Sequence, residues 1–121
     1  MVLNEAMNEL NMDSEKILRR FGGNSALLHK FMKKFIDDET FNKLAEALSN
    51  KQADEIEIQA HTLKGIAMNL GFDALGAKSA AIVECMRSND SECLCIEKAG
   101  PLFDSAREEH EKIINVLNQM D

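Results

Sequence analysis

The chain has 121 residues with 21 acidic and 14 basic side chains and a formal charge of −7, which repels phosphate backbones and argues against nucleic acid as a partner. Hydrophobic residues make up 45%, aromatic ones only 5%, and there is one proline; this is the composition of a single helical domain and not of a sandwich or barrel. No run of about 18 apolar residues is present to span a bilayer, and Met1-Val2-Leu3-Asn4-Glu5 lacks the regions of a signal peptide, so a cytoplasmic protein is expected.

Leu3, Met7 and Leu10 keep helical spacing in a short first segment, Val2 to Asn11. Asp13 or Ser14 caps a second short helix through Arg20, with Ile17, Leu18 and Phe21 turned inward, and Gly22-Gly23 ends it. Residues 1–23 are thus expected as short helices packed against a bundle formed by residues 24–121. Asn24 or Ser25 opens the next helix, whose Leu27, Leu28, Phe31 and Phe35 form one apolar set continued by Phe41, Leu44, Ala45 and Leu48. The segment is either one long bent helix or two in series, the bend near Asp37 to Thr40 being the favoured reading, and the run Asp37-Asp38-Glu39 reads as a solvated helix face.

A polar turn at Ser49-Asn50-Lys51-Gln52 leads into a helix from about Gln52 to Leu70, with Gly71 in the position of a C′ glycine. A further helix starts near Phe72 or Asp73 and carries Leu75, Ser79, Ile82, Val83 and Met86 on one face. Beyond the loop Ser88-Asn89-Asp90, the set Leu94, Leu102, Phe103, Ala106, Ile113, Leu117 and Met120 is helical again. Gly100-Pro101 interrupts it, either as a break with Pro101 at the first position of a new helix or as a kink. The pattern fits an all-α, antiparallel four-helix bundle. Cys85, Cys93 and Cys95 are an odd number in a chain without an export signal and are expected as reduced thiols. Cys93-x-Cys95 alone falls short of a four-ligand metal site, so no metal is expected.

The stretch from Ala60 to Gly71 carries the chemistry. At about 100° per residue, Ile56, Ala60, Leu63, Ala67 and Leu70 share one arc about 80° wide, while His61 points roughly 140° away from its centre, to solvent. Glu57, Lys64, Gly65 and Met68 fall on the outer side with His61, and Ile58 adds apolar area nearby. A glycine inside a helix costs about 0.5–1 kcal/mol against alanine, and close approach of another molecule to the imidazole would offset that loss.

His61-Thr62-Leu63-Lys64-Gly65, followed by Leu70-Gly71, resembles the signature of histidine-containing phosphotransfer (HPt) domains of two-component phosphorelays, commonly His-x-Leu-Lys-Gly with a later Leu-Gly. The break Phe21-Gly22-Gly23-Asn24 and Val83-Glu84 in the following helix extend the resemblance over roughly residues 13 to 120. It implies that His61 accepts a phosphoryl group from a receiver-domain aspartyl phosphate, or from a histidine kinase system, and passes it on to a response regulator. Receiver domains of response regulators and hybrid sensor kinases are the implied partners. The acidic pocket and its Mg²⁺ then belong to the partner, and no cofactor of the chain's own is expected.

An exposed histidine, with an ordinary pKa of about 6.5, is largely neutral and nucleophilic near pH 7. Lys64 can balance arriving negative charge, Gly65 keeps the surface low, and Glu57, Ile58 and Met68 are expected at the partner interface with His61. Glu57 and Thr62 either orient the imidazole or are simply solvated. Neither a Walker-type loop nor a glycine-rich nucleotide lid is present, so a phosphoryl carrier and not a kinase is expected. Two alternatives stand beside this reading: a docking module that carries no phosphate, and a bundle enzyme with a di-metal core, which would need inward Glu-x-x-His pairs that the sequence lacks. His29 and His110 read as ordinary surface residues, and a monomer is the expected state. The start at Met1 and the end at Met120-Asp121 suit a free-standing protein.

Overall fold

Residues 1–121 are described by a computed structural model. Seven helices follow one another: α1 (Leu3–Glu9), α2 (Ser14–Arg20), α3 (Ser25–Ile36), α4 (Thr40–Ser49), α5 (Ala53–Leu70), α6 (Asp73–Met86) and α7 (Glu92–Asn118). Three of them start where a short polar side chain takes up an unpaired backbone donor. Asp13 accepts from the Lys16 N–H at 3.2 Å, Asn24 from Leu27 at 3.0 Å and Ser91 from Leu94 at 3.3 Å.

The all-α bundle expected from the sequence is the fold observed. α5 lies between α4 and α6, α6 packs on α7, and α3 and α4 close the ring against α7. The core is one cluster of 25 buried residues. Ile56, Ala60, Leu63, Ala67 and Leu70 of α5 all belong to it, so the predicted core arc of that helix is the buried one. α1 and α2 pack at the end of the bundle through Ala6, Met7 and Ile17.

Gly71 makes the turn between α5 and α6. Its φ of +84° is the left-handed conformation that glycine adopts without a steric penalty. A Cβ there would also lie 2.4 Å from Cδ1 of Ile17, so the same residue admits α2 to the corner. Arg20, at the end of α2, donates to the carbonyl oxygens of Met68 and Asn69, the latter at 3.0 Å, and thereby satisfies orphan acceptors at the C-terminus of α5.

Several expectations are corrected by packing. α3 and α4 are two helices separated by Asp37–Glu39, and Asp38 accepts from the Thr40 N–H at 2.9 Å; the acidic run is a connection and not a helix face. Leu28, Met32 and Phe35 form the buried line of α3, while Leu27 and Phe31, expected inward, are 37% and 40% exposed. The apolar stripe of α3 is wider than the arc its neighbours cover. At the start of α7, Cys95 is buried in place of Leu94. α7 runs unbroken through Pro101; both Pro101 and Glu97, whose carbonyl loses its helical donor, are exposed, so water can take that bond.

Neither of the two outlying histidines is a plain surface residue. The His110 ring stacks on Phe41 at 4.0 Å and 6° and meets Phe35 edge-on at 5.8 Å, and its half-buried place pulls its pKa below the ordinary range through desolvation, partly offset by Asp38 and Glu111. His29 is partly buried, with Nε2 2.8 Å from the Asp121 carbonyl oxygen. Both partners lie on distant segments, outside the local spacing from which surface positions were inferred.

Candidate functional site

Because the inner face of α5 is fully used by the core, the residues between its core positions are left outside. His61 is exposed near the middle of this helix. Around the axis, Glu57 and Lys64 stand about 40° and 60° to one side of it, and Ile58 and Gly65 about 60° and 40° to the other. Met68 stands two turns on, close to the azimuth of His61.

The Glu57 and Lys64 side faces α6. Arg87, just past the end of α6, donates from Nε to Oε2 of Glu57 at 3.0 Å, and Met68 lies against Gly76, where a Cβ would come within 2.8 Å of its Sδ. These two contacts bracket His61 along the seam. They also revise two readings. Glu57 is an ion-pair partner of Arg87, so it is neither free nor aimed at the imidazole, and Met68, 37% exposed, is partly committed to packing on α6.

The opposite side is open. Ile58 is 53% exposed, and a Cβ added to Gly65 would meet nothing within 4 Å. No neighbour inside the chain requires a glycine there. Thr62 donates its hydroxyl to the Ile58 carbonyl at 2.9 Å, a local helix bond, and makes no hydrogen bond to the imidazole. Beyond these, the side-chain hydrogen bonds of α5 comprise Gln59 with Glu55 and Glu57 with Arg87, so both His61 and Lys64 are uncommitted.

Chemically, the arrangement offers a solvent-facing imidazole, an unpaired ammonium one turn on and a low, unobstructed surface beside them. No group of three or more His, Cys, Asp or Glu side chains is placed to hold a metal ion. The cysteines lie at the α6–α7 end: Cys93 is exposed, Cys95 is buried with its Sγ 3.3 Å from Oγ of Ser88, and burial, with Cys95 nearby, pushes the Cys85 thiol up.

The family model for the Hpt domain matches residues 33–112, a segment that contains α4 to α6, most of α7 and the whole His61 face. The chain belongs to the Hpt domain family. Hpt domains are phosphocarrier modules of two-component systems and not kinases, and they engage receiver domains and kinases. A comparison with curated proteins gives no match. No helix of this Hpt domain is long and apolar enough to cross a membrane.

Arg87 and Gly76 were missed from the sequence. A signal for both was present: with Gly71-Phe72 as the turn of an α5–α6 hairpin, residues equally far to either side of Phe72 face each other, which sets Met68 near Gly76 and Glu57 near Arg87.

Proposed function

We infer that His61 of this Hpt domain is the phosphoryl acceptor of a phosphorelay. The observation that carries this reading is the exposed, uncommitted His61 beside an equally uncommitted Lys64 and the open space over Gly65, within a segment matched by the Hpt family. The ring nitrogen without a hydrogen attacks the phosphorus of a receiver's aspartyl phosphate. The acyl P–O bond breaks, its electron pair stays on the aspartate as carboxylate, and a P–N bond forms on His61. The reverse sequence loads the next receiver. Lys64 offsets charge on the phosphoryl oxygens, and Gly65 lets the rim of the receiver site come down to the imidazole. The receiver's acidic residues would hold the Mg²⁺, which would compensate charge on the phosphoryl oxygens. Ile58 and the exposed part of Met68 contribute apolar contact, and Glu57 contributes polar contact at the rim.

The test is incubation with a phosphorylated receiver domain, beside His61→Gln. The expected result is label on the wild type in a linkage that survives base and is lost in acid, with none on His61→Gln. No label on either protein, with binding to the receiver retained, would leave a docking module that carries no phosphate.

A further inference from the structure

We propose that Cys85 and Cys95 form a site of reversible oxidation, a thiol pair on the α6–α7 seam that a small-molecule disulfide converts into an intramolecular disulfide bond. The transfer chemistry at His61 uses neither sulfur.

The placement follows from the α6–α7 hairpin. α6 ends at Met86 and α7 begins at Glu92, and Cys85 and Cys95 stand equally far to either side of Asp90 in the connection. The two residues therefore face each other across the seam. The Cys85 S–H donates to the Cys95 carbonyl oxygen at 3.5 Å, so one sulfur rests against the main chain of the residue that carries the other. A disulfide needs the two backbones close together before any side chain moves, and the hairpin supplies that approach. Rotation about the two Cα–Cβ bonds then turns the sulfurs toward each other. Cys93 takes no part: it is exposed, and two residues from Cys95 on the same helix it points to a different side.

The surroundings are polar for two thiols. Sγ of Cys95 lies 3.3 Å from Oγ of Ser88 and 3.7 Å from the Asp90 carbonyl oxygen. Lys98 is held at 2.8 Å by the Asp90 carboxylate. Burial, with Cys95 nearby, pushes the Cys85 thiol up, and the Lys98 charge pulls it only partly back. Thiolate is therefore scarce at neutral pH and exchange is slow, which makes the pair a recorder of sustained oxidation and not of a brief pulse. The bond would tie the last turn of α6 to the first turn of α7 two residues from Arg87, and so stiffen the end of the seam that meets Glu57.

Cys85, the less buried of the two, reacts first. Its thiolate attacks one sulfur of oxidised glutathione, whose S–S bond breaks with the electron pair on the departing thiolate. Cys95 then attacks Sγ of Cys85 and displaces the second glutathione thiolate. The two departing thiolates take up the two protons that the cysteines release, so two protein thiols are oxidised and one small disulfide is reduced.

The test uses Cys93→Ser, which removes the exposed thiol and leaves the pair, equilibrated with reduced and oxidised glutathione in buffer and in denaturing urea. The expected product is a monomer that has lost two hydrogens by mass and resists alkylation at both positions. Its closing constant should be at least about tenfold larger in the folded protein than in urea, and by linkage the same factor raises the urea midpoint of the oxidised form. Adding Cys95→Ser should stop the reaction at a single glutathione adduct on Cys85. A closing constant no larger in the folded protein than in urea overturns the proposal, as does a Cys85 adduct that persists with Cys95 present.

Discussion

Gly65 carries a cost that the isolated chain never recovers. It sits inside α5, where glycine is less favourable than alanine, and nothing lies within 4 Å of the place its Cβ would occupy. Gly65→Ala is therefore expected to raise stability by about 0.5–1 kcal/mol, read as a higher urea midpoint, while slowing transfer from a receiver. A destabilised variant, or a stabilised one with unimpaired transfer, would refute an access role for this glycine. Most of the His61 neighbourhood was legible in the sequence because it depends on local periodicity alone: His61, Ile58 and Gly65 lie on the outer face as expected. What could not be read there was the state of Glu57. Its partner Arg87 comes from just past the end of another helix, and helical spacing is silent on contacts between elements.

Among the helices, the α5–α6 hairpin sets the geometry of the site. Its turn depends on Gly71 for both backbone and space, since a side chain there would adopt φ near +84° and run into Ile17. Gly71→Ala is expected to destabilise by more than about 1 kcal/mol, the penalty for a left-handed L-residue, and to weaken the seat of α2. Equilibrium unfolding in urea measures the loss; a neutral effect would mean that the corner relaxes freely. The position of this glycine was legible from the Leu70-Gly71 pair. The split between α3 and α4 was less so, because a connection as short as Asp37–Glu39 interrupts the apolar spacing too little to tell a break from a bend. α3 also shows that hydrophobicity marks which residues can be buried, not which ones find cover: Phe31 meets Phe21 at a ring distance of 5.7 Å and stays 40% exposed.

For the molecule as a whole, His110 ties stability to pH. Stacked on Phe41 and kept neutral by burial, it has a folded-state pKa below its ordinary value. The unfolded chain then takes up the proton first, near pH 6.5. The stabilising contribution is complete above that pH, declines as the pH falls toward the folded-state value, and levels off below it. Unfolding free energies at pH 7.5 and 5.5 should differ more in the wild type than in His110→Phe, which keeps the stack and removes the proton site. An identical pH dependence in the two would assign the effect to other groups. The clasp joins α7 to the α3–α4 junction, so it was invisible to a reading of α7 by itself.

The division of α5 into a core edge and a chemical edge also bears on how such a protein can change over generations. Ile58, Thr62 and Asn69 are exposed and stand outside the core cluster, so replacements there fall in the class that shifts stability by about 0.5 kcal/mol or less. This exposed surface can thus change almost freely while the scaffold stays intact. A duplicated gene could acquire a new correspondent through a few exposed positions without first passing through an unstable intermediate.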